Sequence, residues 1–342
     1  PPGYLDLTDI ISEMTDYANN NPSICKLYDL TDTYDQNETQ EGNHLYAVKI
    51  SDNVDIDENE PAFLMVSCHH AREIITPEIA LYAINQFTSE YGSDPDITAI
   101  VDEYELWICP VWNPDGYDYM YYTDNWWRKN LRDNNGNGYV DSYDGVDLNR
   151  NYPFGWDSPY SGSSDPSSQT YKGPSSASEP ETQTMIEFSN DRHFVKVIDY
   201  HSHGREVLYA YTGWTHPFES WMRNEAIAIS SAAGYGGSVR SASALGEEFQ
   251  WQIYANGSYA NLMETHSEFQ PSYTSGLAEA AQVFPGTIYM LQRPISISGV
   301  VKDARTNQPL LADINIENVN FQHGEFYKSE PTYGRYHLIV PP

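Results

Sequence analysis

The apolar run Ala62-Phe63-Leu64-Met65-Val66-Ser67 constrains the fold more than any other stretch of this chain. It lacks polar alternation, so it reads as a strand covered on both faces. Tyr104 to Val111 and Phe194 to Tyr200 share that character, and Ala260 to Met263 belongs to a fourth such strand. Helical signals lie between them. Thr76-Pro77-Glu78 offers an N-cap, a proline at the first helical position and an acidic first turn. Ile79, Ala83, Ile84 and Phe87 then fall on one stripe, and Gly92 is placed to end it. Ser178-Glu179-Pro180-Glu181 predicts a capping box that opens another helix. Leu5 to Asn19 predicts a helix near the start, and Tyr46 to Ile50 a further strand. Strands alternating with helices predict an α/β fold, a mixed but mostly parallel sheet with helices on both faces. Ligand sites in such folds sit at strand ends.

Two regions depart from this pattern. Residues 113–175 are rich in Asn, Asp, Gly, Ser, Pro and Tyr and carry little periodicity, which predicts a long functional loop. After Arg293, Ile295 to Val301 and Ala312 to Ile316 alternate as strands do, with a turn near Asn307-Gln308-Pro309. The expected organisation is a domain over 1–292 and a small all-β module over 293–342. The module has too few strands for a complete sandwich, so truncation is expected there.

Charge narrows the partners. The 342 residues hold 49 acidic and 18 basic side chains, a formal net charge of -31. That field repels nucleic acid and anionic membrane surfaces. It suits either solubility in salt or cation binding. No apolar run approaches the ~20 residues that span a bilayer, and no signal peptide is visible; the start at Pro1-Pro2 suits a trimmed product. Cys25, Cys68 and Cys109 make no disulfide framework and no Cys-x-x-Cys pair, so a zinc site would have to use imidazoles and carboxylates.

Such groups stand together in Cys68-His69-His70-Ala71-Arg72-Glu73, directly after the first buried strand. A His and a Glu three residues apart at a strand end can turn toward one point. His69 competes with His70, but the residue three on from His69 is Arg72, which cannot bind a cation. His201, in Asp199-Tyr200-His201-Ser202-His203, ends another buried strand and can supply a third ligand, leaving zinc one open position.

Further motifs accompany these: Asn113-Pro114-Asp115-Gly116, Trp127-Arg128-Lys129, Gly145-Val146-Asp147-Leu148-Asn149-Arg150-Asn151, Ser178-Glu179-Pro180-Glu181-Thr182, His201-Ser202 and Glu264. In order and approximate spacing the chain resembles the funnelin zinc carboxypeptidases, the family of carboxypeptidases A, B and T, over roughly residues 4–292. The resemblance implies that His70, Glu73 and His201 hold zinc and that Asp147 orients His70. It implies Arg128 as stabiliser of the oxyanion and Glu264 as general base, with Glu268 the fallback because reaching Glu264 needs a one-residue gap. Asn149 and Arg150 would grip the terminal carboxylate of a peptide or protein, a task suited to a guanidinium fork, and Arg72 would position the peptide. Phe249 stands at the position that sets specificity, which implies apolar C-terminal residues, while Glu247 and Glu248 keep a basic one open. No Tyr stands where the family places a mobile one. Gly299 to Asp303 and Thr306 to Leu310 resemble the transthyretin-like modules found behind some metallocarboxypeptidases.

The stretch Asp133 to Asp144 fits a calcium-loop template, with oxygen donors at Asp133, Asn135, Asn137, Tyr139 (through its carbonyl), Asp141 and Asp144. Calcium there would brace the loop carrying Asp147, Asn149 and Arg150. The resemblance, the acidity and calcium together imply an exported, monomeric enzyme, extracellular or periplasmic. Two other functions fit parts of the sequence: an amidase or peptidoglycan peptidase using the same metal site, and a non-catalytic binding protein.

Overall fold

The computed structural model describes residues 2–325 and 327–342. Its centre is an eight-stranded sheet. In chain order the strands are β1 (Cys25–Asp29), β2 (Tyr46–Ile50), β3 (Ala62–Ser67), β4 (Glu105–Cys109), β5 (Lys196–Ser202), β6 (Glu206–Tyr209), β7 (Val239–Ser241) and β8 (Tyr259–Thr265). They lie in the order β1-β2-β4-β3-β5-β8-β6-β7. The inner strands β4, β3, β5 and β8 are parallel; β2 and β6 join them antiparallel, and β1 pairs antiparallel with β2. The sheet is thus mixed and mostly parallel at its core, as expected.

Side-chain alternation decides which core each residue enters. Along β3, Phe63 and Met65 join one apolar cluster, whereas Ala62, Leu64 and Val66 join the other. The first cluster is covered by Leu7–Asn20, Ile75–Ser89, Pro95–Glu103, Glu219–Ala232 and Tyr273–Gln292, the second by Pro180–Arg192 and Glu248–Asn256. Register carries the alternation to the strand ends. Ser67 of β3 pairs with Tyr200 of β5, and His201 of β5 with Glu264 of β8, so distant segments meet at one edge.

Three local expectations are corrected. Residues 113–175 contain a helix, Pro114–Tyr122. Asn113 caps it by accepting from the Gly116 N–H at 3.0 Å, so Asn-Pro-Asp-Gly is a helix start. Thr76 lies inside its helix; the hydroxyl donates back to the Glu73 carbonyl instead of capping. Glu179 precedes the Pro180–Arg192 helix with no side-chain cap, because Ser178 Oγ donates to Glu179 Oε1 and Asn151 Oδ1 takes the Glu179 N–H.

Beyond the Tyr273–Gln292 helix the chain forms two small antiparallel pairs, Ile297–Val300 with Arg335–Leu338 and Asp313–Ile314 with Tyr327–Lys328. All three cysteines are buried and unbridged.

Candidate functional site

Cys68 leaves β3 with φ +59°, a left-handed conformation that a non-glycine residue adopts only when its surroundings impose it. The turn sends His69 and His70 in different directions. Asn113 Nδ2 fixes it by donating to the His69 carbonyl at 3.1 Å. His70 reaches the sheet edge, where its Nδ1 lies 2.8 Å from Glu73 Oε1 and 3.0 Å from His201 Nδ1. His201 Nδ1 lies 3.0 Å from Glu73 Oε2. All three side chains are buried, and one ligand atom of each falls within 4.8 Å of the others.

The outer nitrogens of both rings face carboxylates: His70 Nε2 lies 3.1 Å from Asp147 Oδ1, and His201 Nε2 lies 2.9 Å from Asp199 Oδ2. Ionised carboxylates only accept hydrogen bonds, so each holds the imidazole N–H on the outer side. Two Nδ1 atoms and a carboxylate then converge on one point. Two imidazole nitrogens with one carboxylate are a donor set that suits zinc. The residues present therefore fit the metal. His69 takes no part in this triad. It is turned to the far side of Asp199, with Nδ1 3.1 Å from Asp199 Oδ1 and Nε2 3.1 Å from Tyr152 Oη.

Asp147 has a second duty. Its Oδ2 accepts from Arg128 Nε at 3.1 Å and Nη2 at 2.7 Å. Burial opposes its charge, but Arg128 and His70 hold its carboxyl well below the usual range. The fork leaves Arg128 Nη1 3.8 Å from Glu73 Oε1, at the cavity wall. The loop carrying Asp147 depends on Gly145: its φ is +79°, and a Cβ there would meet the Asn130 carbonyl oxygen at 2.3 Å.

A cavity of about 350 Å³ opens over the triad. Arg72, Arg128, Asn149, Arg150, Glu247 and Glu264 line it with the triad itself. Glu264 Oε2 has no hydrogen-bond partner among the described residues, and Arg240 Nη2 stands 3.7 Å from its other oxygen. Burial and the neighbouring Glu73 carboxylate push Glu264 up to about 7. Arg150 Nη1 donates to the Asn149 carbonyl at 2.6 Å and pairs with Glu247 Oε1 at 3.1 Å. Asn149 Nδ2 lies 3.0 Å from His201 Nε2, and its Oδ1 takes the Glu248 N–H at 2.7 Å. Arg72 lies over the Phe269 ring, 4.5 Å from its centre.

Not every expected residue reaches the cavity. Phe249 is fully buried in the second apolar cluster and forms no part of the cavity wall. It lies in the Glu248–Asn256 helix, which turns it inward and leaves Glu247, the residue before the helix, on the wall. The 133–144 loop is mostly exposed and turned on itself. Asp133 accepts from the N–H groups of Gly136 and Gly138, Asp144 from those of Asn134 and Asp141, and Asp141 Oδ2 from the amides of Asn135 and Asn137. The backbone amide of Tyr139 donates to Asn137 Oδ1. Sequence reasoning gave Asp199 no role, although the strand period of two places it on the face of His201.

The zinc carboxypeptidase family model matches residues 10–298. Rat (Rattus norvegicus) carboxypeptidase A2 is 32% identical over 212 residues, covering 61% of this chain and 46% of the relative. A zinc carboxypeptidase of Saccharothrix mutabilis subsp. capreolus is 35% identical over 156 residues, 45% of this chain and 33% of the relative. The chain thus spans less than half the length of these curated relatives. Among solved structures, carboxypeptidase A from Helicoverpa armigera superposes with a TM-score of 0.73 at 22% identity, over 84% of this chain and 72% of that one, a likeness of fold.

Proposed function

The chain belongs to the zinc carboxypeptidase family, and we propose that it hydrolyses the C-terminal peptide bond of peptides and proteins with a zinc ion held by His70, Glu73 and His201. The observation that carries this reading is the convergence of two imidazole nitrogens and a carboxylate beneath a cavity whose wall also presents Arg128, Arg150 and Glu264.

Zinc, when bound, supplies a Lewis acid that polarises a carbonyl and acidifies water. The side chains of this chain do the rest. Glu264, unpaired at one oxygen, takes the proton of the attacking water as the C–O bond forms. It then gives that proton to the amine that leaves when the C–N bond breaks. Arg128, anchored by Asp147, keeps Nη1 for the negative charge developing on the carbonyl oxygen. Arg150 and Asn149 bind the terminal carboxylate, and that grip restricts cleavage to chain ends. Arg72, lying over Phe269, positions the preceding residues.

Glu247 supports a finer reading of specificity. A buried carboxylate on the cavity wall favours a basic C-terminal side chain over the apolar one that Phe249 would imply. For the 133–144 loop, calcium is the proposed ligand; binding would require Asn135 and Asn137 to turn their amide oxygens inward. We assign 1–292 to the catalytic domain and 293–342 to a transthyretin-like accessory module. No helix among the described residues is long and apolar enough to cross a membrane; an exported monomer is the proposed state.

The test is hydrolysis of blocked dipeptides carrying free or amidated C-termini, with and without a zinc chelator. Chelator-sensitive cleavage confined to free C-termini is expected. Equal cleavage of amidated substrates favours the amidase alternative, and no chelator-sensitive cleavage favours a binding protein.

A further inference from the structure

For His201 Nδ1 to bind a metal it must present a lone pair, so the one hydrogen of the neutral ring must sit on Nε2. Two groups compete over that nitrogen. Asp199 Oδ2, 2.9 Å away, accepts a hydrogen, whereas Asn149 Nδ2, 3.0 Å away, offers one. Asn149 is held from turning its amide oxygen to the ring, because Oδ1 takes the Glu248 N–H at 2.7 Å. Contact with Asp199 therefore favours the tautomer that leaves Nδ1 open. Contact with Asn149 favours the tautomer that puts a hydrogen there. The position of Asp199 decides between them.

His69 fixes that position. Its Nδ1 lies 3.1 Å from Asp199 Oδ1, the oxygen that His201 leaves free. Both side chains are completely shut off from solvent, so bulk water cannot replace this contact. A buried carboxylate oxygen without a donor costs free energy, so Asp199 stays where His69 serves it. The His69 ring lies 13° from parallel with that of His201, their centres 5.6 Å apart. On its far side His69 Nε2 lies 3.1 Å from Tyr152 Oη. Tyr152 is fully buried; its N–H donates to the Gly246 carbonyl at 3.1 Å and its ring packs on Trp251. A hydroxyl hydrogen given to Nε2 leaves the His69 hydrogen on Nδ1, where Asp199 accepts it. The row Tyr152, His69, Asp199, His201 thus ties the loop carrying Asn149 and Arg150 to the metal triad.

We propose that His69, held by Tyr152, is a positioning residue that locks Asp199 against His201 and so selects the ring form that presents Nδ1 to zinc. This rests on the reading of His70, Glu73 and His201 as the zinc triad. His69 itself touches neither metal nor substrate; it acts through Asp199. Groups that orient metal-bound histidines typically contribute about 10–100-fold in metal affinity. His69 stands one step further out, so the lower end of that range applies.

The test is the zinc dissociation constant of the folded chain, measured by competition with a chromogenic chelator at neutral pH. His69→Gln keeps size and polarity but moves the amide to the Tyr152 side, away from Asp199. It should weaken zinc binding by about tenfold. His69→Asn puts an amide nitrogen where Nδ1 stands and should stay within about threefold of the unmodified chain. A merely structural role predicts the reverse order, since Asn leaves the larger gap. With Asn149→Ala present, His69→Gln should weaken zinc by less than about threefold, because the competing donor is gone. The proposal is overturned by unchanged affinity in His69→Gln, by an undiminished loss in the Asn149→Ala background, or by a tenfold loss in His69→Asn, which decides independently of the other variants. If the unmodified chain binds no zinc, the triad reading fails and this proposal with it. If it binds one zinc and His69→Gln binds it as tightly, this proposal alone fails.

Discussion

Arg150 and Glu247 pair at 3.1 Å within the cavity, so the guanidinium proposed to hold the substrate's tail already has a carboxylate partner. A substrate carboxylate must compete with Glu247 for Arg150. A basic C-terminal side chain reduces that competition, because it gives Glu247 a partner of its own. Substrates with apolar tails have no such compensation.

Glu247→Gln should therefore reverse specificity. The ratio of kcat/KM for a C-terminal Lys or Arg over a C-terminal Leu or Phe should fall by about 10–100-fold, equivalent to about 1.4–3 kcal/mol. Kinetics on peptides differing only in the last residue check this. An unchanged ratio would remove Glu247 from specificity.

Glu264→Gln should lower kcat by about 10²–10⁴ with little change in KM, since the amide fills the same space but takes no proton. Glu264 must be ionised to act, and burial with the Glu73 charge pushes it up to about 7. A dication on the triad opposes that shift. Activity should therefore fall with acidification along a limb at or below pH 7. A pH–rate profile flat from pH 7 down to 5 contradicts the assignment.

Much of this site was legible in the sequence because the residues carrying it sit at strand ends, where short motifs report local geometry. His70 and Glu73 are held by one turn, and the end of β5 presents His201. Phe249 was misplaced because specificity was assigned by alignment with a motif position. Whether Glu247 or Phe249 faces the cavity depends on where the Glu248–Asn256 helix begins, which no short pattern fixes. The Pro114–Tyr122 helix was missed because its Tyr-rich sequence hides the apolar stripe; its Tyr117 and Met120 are nevertheless fully buried.

Glu78 gives a stability prediction separate from catalysis. It is buried in the Ile75–Ser89 helix, with Oε1 lacking a donor among the described residues, and burial pushes it up to about 7 despite the Leu5 backbone amide. A raised carboxyl binds more protons in the folded state. Its stabilising contribution is full below about pH 4.5 and is lost as pH rises through about 7. Glu78→Gln should raise stability at pH 8 by about 1–3 kcal/mol and change it little at pH 4. Urea unfolding at both pH values checks this; a less stable variant at pH 8 contradicts it.

The zinc content of the purified chain, with and without His201, tests the central assignment most directly. Elemental analysis after dialysis should find about one zinc per unmodified chain and almost none in a folded His201→Ala variant, because three protein ligands are needed to hold the ion. Undiminished zinc in His201→Ala would show that the metal is held elsewhere.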